Sequence, residues 1–263
     1  MKIFVGSCIW REVAAEHHKA LIPLLRQPNV QYGPQVGDAL IERARGISAT
    51  YFLRNTDADV HLSIDSDIVG FSVEDTMKLC EAAMTHDIVG ATYVGRSRDR
   101  PNAYTVQEIG QPVSYAFDHT PVAVKWAATG FLAVHRRVFE KLSENLRLLH
   151  ARQPWAFYNF YGCTEYEDEE LGEPILLSED YAFCQRAKDA GFQIYIDPAV
   201  RIGHLGSYVY RLEDMAQKPL EAQPLRLTRT SSYAWRVEGI DPGNKTATSP
   251  LSKVAASSNG RKR

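Results

Sequence analysis

Several features that define common protein classes are scarce in this chain of 263 residues. It has only four cysteines, and no two of them form a C-x-x-C pair, which argues against a zinc ribbon and a dithiol redox site. Free thiols, together with an N-terminus that lacks the pattern of a secretory signal, are typical of the reducing cytoplasm, where we expect the protein to reside. The cysteines are Cys8, Cys80, Cys163 and Cys184.

Long apolar runs and a strong charge of one sign are also missing. The longest candidate run, residues 122–134, contains Lys125 and is shorter than the roughly 18 apolar residues that a membrane-spanning helix needs, so we expect no membrane span. A formal net charge of -2 argues against a general binder of polyanions. The charge is uneven, because residues 241–263 carry five basic side chains and one acidic one. We expect this segment to be a disordered basic tail.

What the chain does contain is an alternation of strand-like and helix-like segments over its first two thirds. Compact β-rich runs alternate with stretches whose apolar residues are spaced three and four apart. The alternation predicts an α/β fold in which a Rossmann-like, mostly parallel sheet is flanked by helices and binds ligands at the carboxyl ends of its strands. The predicted strands are 3–5, 29–32, 60–64 and 88–94, and the predicted helices are 11–25, 36–56 and 73–85.

After residue 95 the pattern is less regular. Residues 164–174 are acidic and punctuated by glycine and proline, and they are long enough to form a mobile lid. Ser178 is predicted to cap a helix that Gly191 ends. The other predicted elements are strands within 113–127 that could pair as a hairpin, strands at 131–134, 192–196 and 200–202, and helices over 136–149 and 178–190.

Two aspartates follow directly on the predicted strand 60–64. Asp65 and Asp67 form a D-x-D triplet at the end of the sheet where ligands bind, and two carboxylates beside a diphosphate make a hard oxygen site for magnesium or manganese. The triplet 57–59 has the same spacing but precedes the strand. We therefore interpret it as a solvated turn at the opposite end of the sheet.

Two later groups have chemistry that suits the same site. Glu179 and Asp180 fall in the first turn of a predicted helix, where they either match the helix dipole or supply a general base. His204 stands between Gly203 and a second glycine two residues on, at the end of a predicted strand. Its imidazole is either structural or a ligand that suits manganese better than magnesium.

With the segment Thr129–Val134, which reads T-G-F-L-A-V, these features closely resemble GT-A-fold glycosyltransferases. In that family a strand ending in D-x-D precedes a G-F-hydrophobic stretch, an E-D helix start and a late histidine, and all four occur here in order over residues 3–208. The resemblance implies a GT-A domain over 1–240, with its nucleotide-binding part at about 1–110 and its acceptor-binding and catalytic part at about 111–240. It also implies metal-dependent transfer of a sugar from a nucleotide-diphosphate sugar, with a UDP-sugar favoured and Mn²⁺ or Mg²⁺ as the cofactor.

The resemblance also implies roles for individual residues. Asp67 and His204 would ligate the metal, and Asp65 would lie nearer the ribose or act as a further ligand. Asp180 would be the catalytic base, with Glu179 orienting it or binding the acceptor. Direct displacement by the deprotonated acceptor hydroxyl favours inversion, although a late histidine ligand also occurs in retaining members of the fold.

The resemblance extends to the donor side and to the loops around it. Segment 43–46, which reads R-A-R-G, is similar to the A-R-N segment of many such enzymes, but a glycine replaces the asparagine and leaves the roles of both arginines open. The candidates for donor binding are Ser7, Arg11, Arg43, Asp65, Asp67 and Gly130, with Cys8 also bordering the base. The candidates for contacting phosphates or the acceptor are Arg96, Arg98, Arg100, Trp155 and Tyr158.

The acceptor stays open at this point. A saccharide or small metabolite is the first expectation, and a hydroxymethylated base in DNA is the alternative, favoured by the basic tail and opposed by the net acidic body. A nucleotidyltransferase would need a phosphate loop rich in glycine and basic residues after the first strand, which residues 6–11 do not supply. A glycoside hydrolase would use two facing carboxylates without a metal, and a binding module would bind the donor without turnover.

Overall fold

The secondary structure consists of short strands and five helices within the part of the chain that this computed structural model describes, which is residues 1–97, 103–108, 110–151, 155–216, 224–231 and 234–240. The helices are α1 (Ala15–Leu25), α2 (Ile41–Asn55), α3 (Val73–His86), α4 (Arg136–Ser143) and α5 (Glu179–Asp189), and a 3₁₀ turn spans Leu212–Met215. The strands are β1 (Ile3–Ile9), β2 (Val30–Val36), β3 (Val60–Ile64), β4 (Ile68–Val69), β5 (Ile88–Gly90), β6 (Thr105–Val106), β7 (Pro112–Tyr115), β8 (Val122–Val124), β9 (Trp126–Ala127), β10 (Phe131–His135), β11 (Leu148–His150), β12 (Ala156–Tyr158), β13 (Thr164–Asp168), β14 (Glu173–Leu177), β15 (Ile194–Ile196), β16 (Gly203–Leu205), β17 (Val209–Tyr210), β18 (Leu225–Ser231) and β19 (Ala234–Gly239).

The central sheet has seven strands in the order β2-β1-β3-β10-β5-β15-β8. Strand β1 pairs in parallel with β2 and β3, and β15 pairs in parallel with β5, whereas β10 and β8 run antiparallel to their neighbours. The predicted α/β class and mostly parallel sheet are confirmed. All five residues of β3 are buried, as expected of a strand covered by helices on both faces.

Helices cover the two faces of the sheet and create two apolar clusters. Because side chains alternate along a strand, Phe4 of β1 faces the cluster that contains residues of α2, α4 and α5. Its neighbours Ile3 and Val5 face the cluster that contains Leu21 of α1 and Leu79 of α3. The helices therefore hold the sheet from both sides and leave its carboxyl edge open.

The prediction of an irregular loop over 164–174 is wrong, because these residues belong to the antiparallel hairpin β13–β14, and the proposed lid movement stays a prediction. The Oδ1 atom of Asp168 accepts hydrogen bonds from two backbone amides in the turn, and Gly172 takes a positive φ of 68° there. Arg229 of β18 pairs with Glu170 at 2.8 Å, which anchors the turn. The acidic side chains of this segment obscure its strand pattern in the sequence. In the structure the ring of Tyr166 packs on Trp126.

Several other predictions need correction. The strands within 113–127 do not pair as a hairpin: β7 pairs with β18 and β8 with β15, while His119 between them hydrogen-bonds to Asp197 at 2.8 Å. Strand 200–202 is displaced to β16, and the helix predicted over 136–149 ends at Ser143. Ser178 occupies the N-cap position of α5, but its side chain makes no capping hydrogen bond.

Some sequence predictions fall where the structure gives no test. The basic tail, 241–263, and the arginines Arg98 and Arg100 lie outside the described residues. None of the helices in the described part of the chain combines the length and the apolar character needed to cross a membrane.

Candidate active site

The D-x-D triplet lies at the carboxyl edge of the central sheet, where β3 ends. The amide of Asp65 donates to the carbonyl of Gly130, which immediately precedes the antiparallel neighbour β10, and the chain then turns into β4. The triplet forms one wall of an open cleft of about 450 Å³. The lining residues are Cys8, Ile9, Trp10, Asp38, Ala39, Ile41, Asp65, Ser66 and Asp67.

Arg45 of α2 links the first aspartate of the triplet to the start of α5. Its guanidinium is only 4% exposed and donates to both oxygens of Asp65, at 2.8 and 2.9 Å. The same guanidinium lies 3.8 Å from Glu179 and 3.7 Å from Asp180. One buried cation is thus shared by three carboxylates, and it brings the D-x-D and E-D motifs into one site.

The two acidic residues of α5 have pKa values raised above the ordinary range. Burial is the main cause for both, and for Glu179 the nearby charge of Asp180 adds to it. Arg45 acts in the opposite direction on both, and the Thr129 hydroxyl, which donates to Oδ1 of Asp180, also favours the carboxylate. Asp180 is therefore a partly buried carboxylate with a proton affinity suited to a general base.

Gly130 is a glycine because two groups approach it closely. A side-chain Cβ there would lie 2.3 Å from the hydroxyl oxygen of Tyr93 and 3.0 Å from Oδ2 of Asp65. The Tyr93 hydroxyl accepts the amide hydrogen of Gly130 at 3.1 Å, and Tyr93 is buried. Gly130 therefore packs closely against Asp65, and its predicted contact with the donor stays a prediction.

His204 is placed beside Asp67 by strand pairing. Because β16 pairs with β4 antiparallel, His204 lies opposite Ile68, and the Leu205 amide donates to the Asp67 carbonyl at 2.7 Å. The His204 Nδ1 atom is 2.8 Å from the carbonyl of Val94, which can only accept, so Nδ1 carries the proton. Its Nε2 atom then faces Oδ2 of Asp67 at 3.2 Å.

Asp67 also contacts Arg96, whose Nη1 atom lies 2.8 Å from the same Oδ2 oxygen. Burial acts to raise the pKa of Asp67, but the hydrogen bond and charge of His204 and the charge of Arg96 outweigh it and hold that pKa below the usual range. Asp67 is therefore ionised at neutral pH and available as a ligand.

A buried histidine supports the D-x-D turn from below. His17 of α1 is fully buried, and its Nδ1 atom donates to the carbonyl of Ile68 at 2.7 Å. Burial lowers the pKa of His17, so it is neutral at physiological pH. Sequence reasoning did not identify this residue, because a lone histidine in a helix has no distinguishing pattern.

The Asp67–His204 pair suits a divalent cation chemically. A carboxylate oxygen and an imidazole nitrogen face each other, and the hydrogen bond to the backbone carbonyl of Val94 fixes the ring with Nε2 directed at Asp67. Among the described residues no group of three or more His, Cys, Asp or Glu side chains is arranged to hold a metal. A cation here would therefore take its remaining ligands from a bound diphosphate or water.

The structure separates the predicted donor-binding residues. Ser7 lies within β1, not after it, and its buried hydroxyl finds no hydrogen-bond partner among the described residues, whereas Cys8 lines the cleft. Arg11 is exposed and its guanidinium lies 5.5 Å from the ring centroid of Trp10. Arg43 pairs through two 2.7 Å contacts with Asp38, which itself lines the cleft.

Trp155 and Tyr158 lie on a different surface from the cleft. Trp155 directly precedes β12, and Tyr158 is its last residue. Strand β12 packs against α2, where the amide of Tyr158 donates to the Thr50 hydroxyl. Beside them is a second cleft of about 440 Å³. It is lined by Leu40, Glu42, Arg43, Leu149, His150, Ala151, Phe157 and Asn159.

The turn 57–59 is confirmed as the opposite end of β3. Asp57 pairs with Lys2, and Asp59 accepts the backbone amide of Lys2 at 2.7 Å, with its side chain 43% exposed. Neither carboxylate approaches the open edge of the sheet.

No protein-family model matches the chain, and no curated protein matches it. Among solved structures, one titled "Crystal Structure of A197 from STIV" matches with a TM-score of 0.51 and 16% sequence identity. The match covers 78% of this chain and 86% of that chain. At this identity the likeness shows a shared fold alone.

Proposed function

We propose that the protein is a metal-dependent glycosyltransferase that uses a nucleotide-diphosphate sugar. The observation that carries the proposal is the cluster around Arg45, which joins Asp65 of the D-x-D triplet to Asp180 at the start of α5. Sugar transfer from a nucleoside diphosphate requires two kinds of group, and both are present here. One is a pair of carboxylates beside an open cleft, and the other is a partly buried base a few ångströms away.

In the proposed complex the nucleotide occupies the 450 Å³ cleft. Trp10 is half exposed on its wall and offers a flat surface for the base, while Asp65, fixed by Arg45, presents its carboxylate edge toward the ribose. Asp67 and His204 would hold the cation. When bound, the cation would neutralise the charge that builds on the departing diphosphate.

Asp180 is proposed to take the proton from the acceptor hydroxyl. The Thr129 hydroxyl donates to one of its oxygens, so the carboxylate has a fixed orientation and its other oxygen can accept. Attack by the acceptor on the anomeric carbon from the side of Asp180 inverts the configuration. Glu179 lies next to Asp180 and contacts the same guanidinium, so its proposed role is to orient Asp180 through Arg45.

A saccharide is the proposed acceptor, and the second cleft supports this choice. Its lining combines the Phe157 ring with planar polar side chains, which suit the apolar faces and the hydroxyl groups of sugars respectively. The two clefts adjoin each other, because Arg43 on the wall of the second cleft pairs at 2.7 Å with Asp38 on the wall of the first.

The proposal predicts that nucleoside diphosphate is released from one member of a panel of nucleotide sugars when Mn²⁺ and a saccharide acceptor are supplied. Asp67→Ala should abolish this release and the metal-dependent binding of the donor. Asp59→Ala, at the far end of the same strand, should retain both, because its carboxylate contacts the Lys2 amide and the N-terminal ammonium, far from the cleft. Release is measured by coupled assay and binding by calorimetry.

Equal losses in the two aspartate variants would overturn the assignment of the metal site. Turnover that survives removal of every divalent cation by a chelator would overturn the metal dependence. A DNA duplex with hydroxymethylated bases belongs in the acceptor panel, since transfer to it and to no saccharide would refute the saccharide proposal.

If the second cleft binds the acceptor, a substitution in it should change acceptor binding and leave donor binding unchanged. His150 is exposed on its wall, so His150→Ala should leave the fold intact and raise the KM for the identified saccharide acceptor several-fold, about the effect of losing one hydrogen bond of 0.5–1.5 kcal/mol. The donor Kd should not change. Steady-state kinetics with calorimetry tests this, and an unchanged acceptor KM would remove the cleft from the acceptor site.

A further inference from the structure

Arg96 makes an ion pair that the proposed reaction does not require. Its Nη1 atom lies 2.8 Å from Oδ2 of Asp67, and this is the same oxygen that faces Nε2 of His204 at 3.2 Å. A Cβ on Gly206 would lie 3.1 Å from Cδ of Arg96, so the aliphatic stem of Arg96 crosses over the backbone just after β16. The guanidinium thus reaches the oxygen that the cation would use.

The positive charge of Arg96 stabilises the carboxylate of Asp67. The carboxylate of Asp67 is partly buried, and a partly buried anion is stabilised by an adjacent cation. The guanidinium of Arg96 supplies this cation as a permanent charge that cannot be lost by deprotonation.

The ion pair is also easily displaced. The side chain of Arg96 is 51% exposed and that of Asp67 is 32% exposed, and exposed pairs contribute only about 0–1 kcal/mol. This contrasts with Arg45, which is buried and holds Asp65 through two hydrogen bonds. Asp65 is therefore held by a permanent partner, Arg45, and Asp67 by an exchangeable one, Arg96.

We propose that Arg96 is a resident cation that competes with the divalent metal for Asp67 and moves onto the diphosphate when the metal enters. The inference rests on the proposed function. A divalent ion at Asp67 repels the guanidinium, and a diphosphate beside the metal then offers Arg96 an anionic partner in place of Asp67. The exchange therefore couples the two ligands, so that metal binds weakly by itself and much more tightly with the nucleoside diphosphate.

The test is the binding of Mn²⁺ alone to the full chain, measured by calorimetry or by the loss of the free-ion EPR signal. Arg96→Gln should bind Mn²⁺ about two- to fivefold more tightly than wild type, which corresponds to removing an exposed pair of up to about 1 kcal/mol. Arg137→Gln removes a similar exposed arginine, paired with Asp87 at the far end of the sheet, and should bind as wild type does.

A second measurement follows the coupling itself. UDP should tighten Mn²⁺ binding by a smaller factor in Arg96→Gln than in wild type, because the displaced guanidinium no longer contributes. Equal or weaker binding of Mn²⁺ alone by Arg96→Gln, or an unchanged effect of UDP, would overturn the exchange.

These outcomes are distinct from failure of the proposed function. If Asp67→Ala still binds Mn²⁺ as wild type does, the metal site itself is wrong. If Asp67→Ala loses Mn²⁺ while Arg96→Gln behaves as wild type, the metal site stands and only the competing role of Arg96 is refuted. Neither measurement depends on turnover.

Discussion

Asp180→Asn is expected to lower the rate of sugar transfer by about two to four orders of magnitude, the usual contribution of a positioned general base. The amide keeps the size of the carboxylate and a carbonyl oxygen that can accept from Thr129, so α5 and the donor cleft should be undisturbed. The donor Kd should therefore stay close to wild type. Single-turnover kinetics with calorimetric titration of the donor separates the two quantities.

Asp189→Asn, at the exposed end of the same helix, is the matched control and should retain the wild-type rate. The pH profile adds a further test. Burial raises the pKa of Asp180, so the wild-type rate should fall with decreasing pH at a higher pH than an ordinary aspartate would give, and this limb should vanish in Asp180→Asn. If Asp180→Asn keeps a rate near that of wild type, Asp180 is not the general base and serves only at the start of α5.

Arg45→Met should cost about 3–5 kcal/mol of unfolding free energy, because it leaves three carboxylates near one another without their buried cation. Turnover should also be lost, since Asp65 no longer has a fixed orientation. Urea denaturation followed by tryptophan fluorescence measures the change in stability. Arg43→Met, two residues earlier on α2, removes a partly exposed arginine paired with Asp38 and should change stability little.

The stability deficit of Arg45→Met should depend on pH in a defined direction. Glu179 and Asp180 already have raised pKa values, and the loss of Arg45 raises them further. A carboxyl with a raised folded-state pKa favours the folded state when protonated, so its contribution is present at low pH and lost as pH rises through that pKa. The deficit should therefore shrink from pH 8 to pH 5, and a constant deficit would contradict the shared-cation account of the cluster.

The parts of the site that could be predicted are those with a local signature. Strand β3 was predicted with its observed bounds because it is a short β-rich run, and D-x-D follows it directly. The start of α5 at Glu179 followed from helix-terminal chemistry, and the structure brings Asp67 and His204 within 3.2 Å of each other, as the order of the motifs implied.

The parts that could not be predicted depend on contacts between distant segments. The R-A-R-G segment left the roles of both arginines open, and Arg43 was the predicted donor-binding residue. Only the packing of α2 shows that Arg45 enters the cluster, while Arg43 pairs with Asp38. Glycine is favoured at position 46 because a Cβ there would lie 3.0 Å from the Phe157 ring and from the Tyr158 carbonyl. No spacing in the sequence reveals such an approach.

The hydroxyl of Tyr93 beneath Gly130 is a further example. Tyr93 falls in the predicted strand 88–94, but β5 ends at Gly90, and Tyr93 is buried beyond it and packs edge-to-face on both Tyr104 and His204. The hairpin β13–β14 was missed for a different reason. Its acidic side chains suggested a solvated loop, while the ring of Tyr166 and the anchor at Arg229 stabilise it as a sheet.

The position of β10 has a consequence for how the protein matures during synthesis. Strands β3 and β5 leave the ribosome first, and the strand that joins them follows about 40 residues after β5. Until then both strands present unpaired edges, and the amide of Asp65 lacks its acceptor at Gly130. The first half of the nascent chain therefore exposes strand edges that can aggregate until β10 has been synthesised. The cleft beside Asp65 takes its final form only when β10 has paired with β3 and β5.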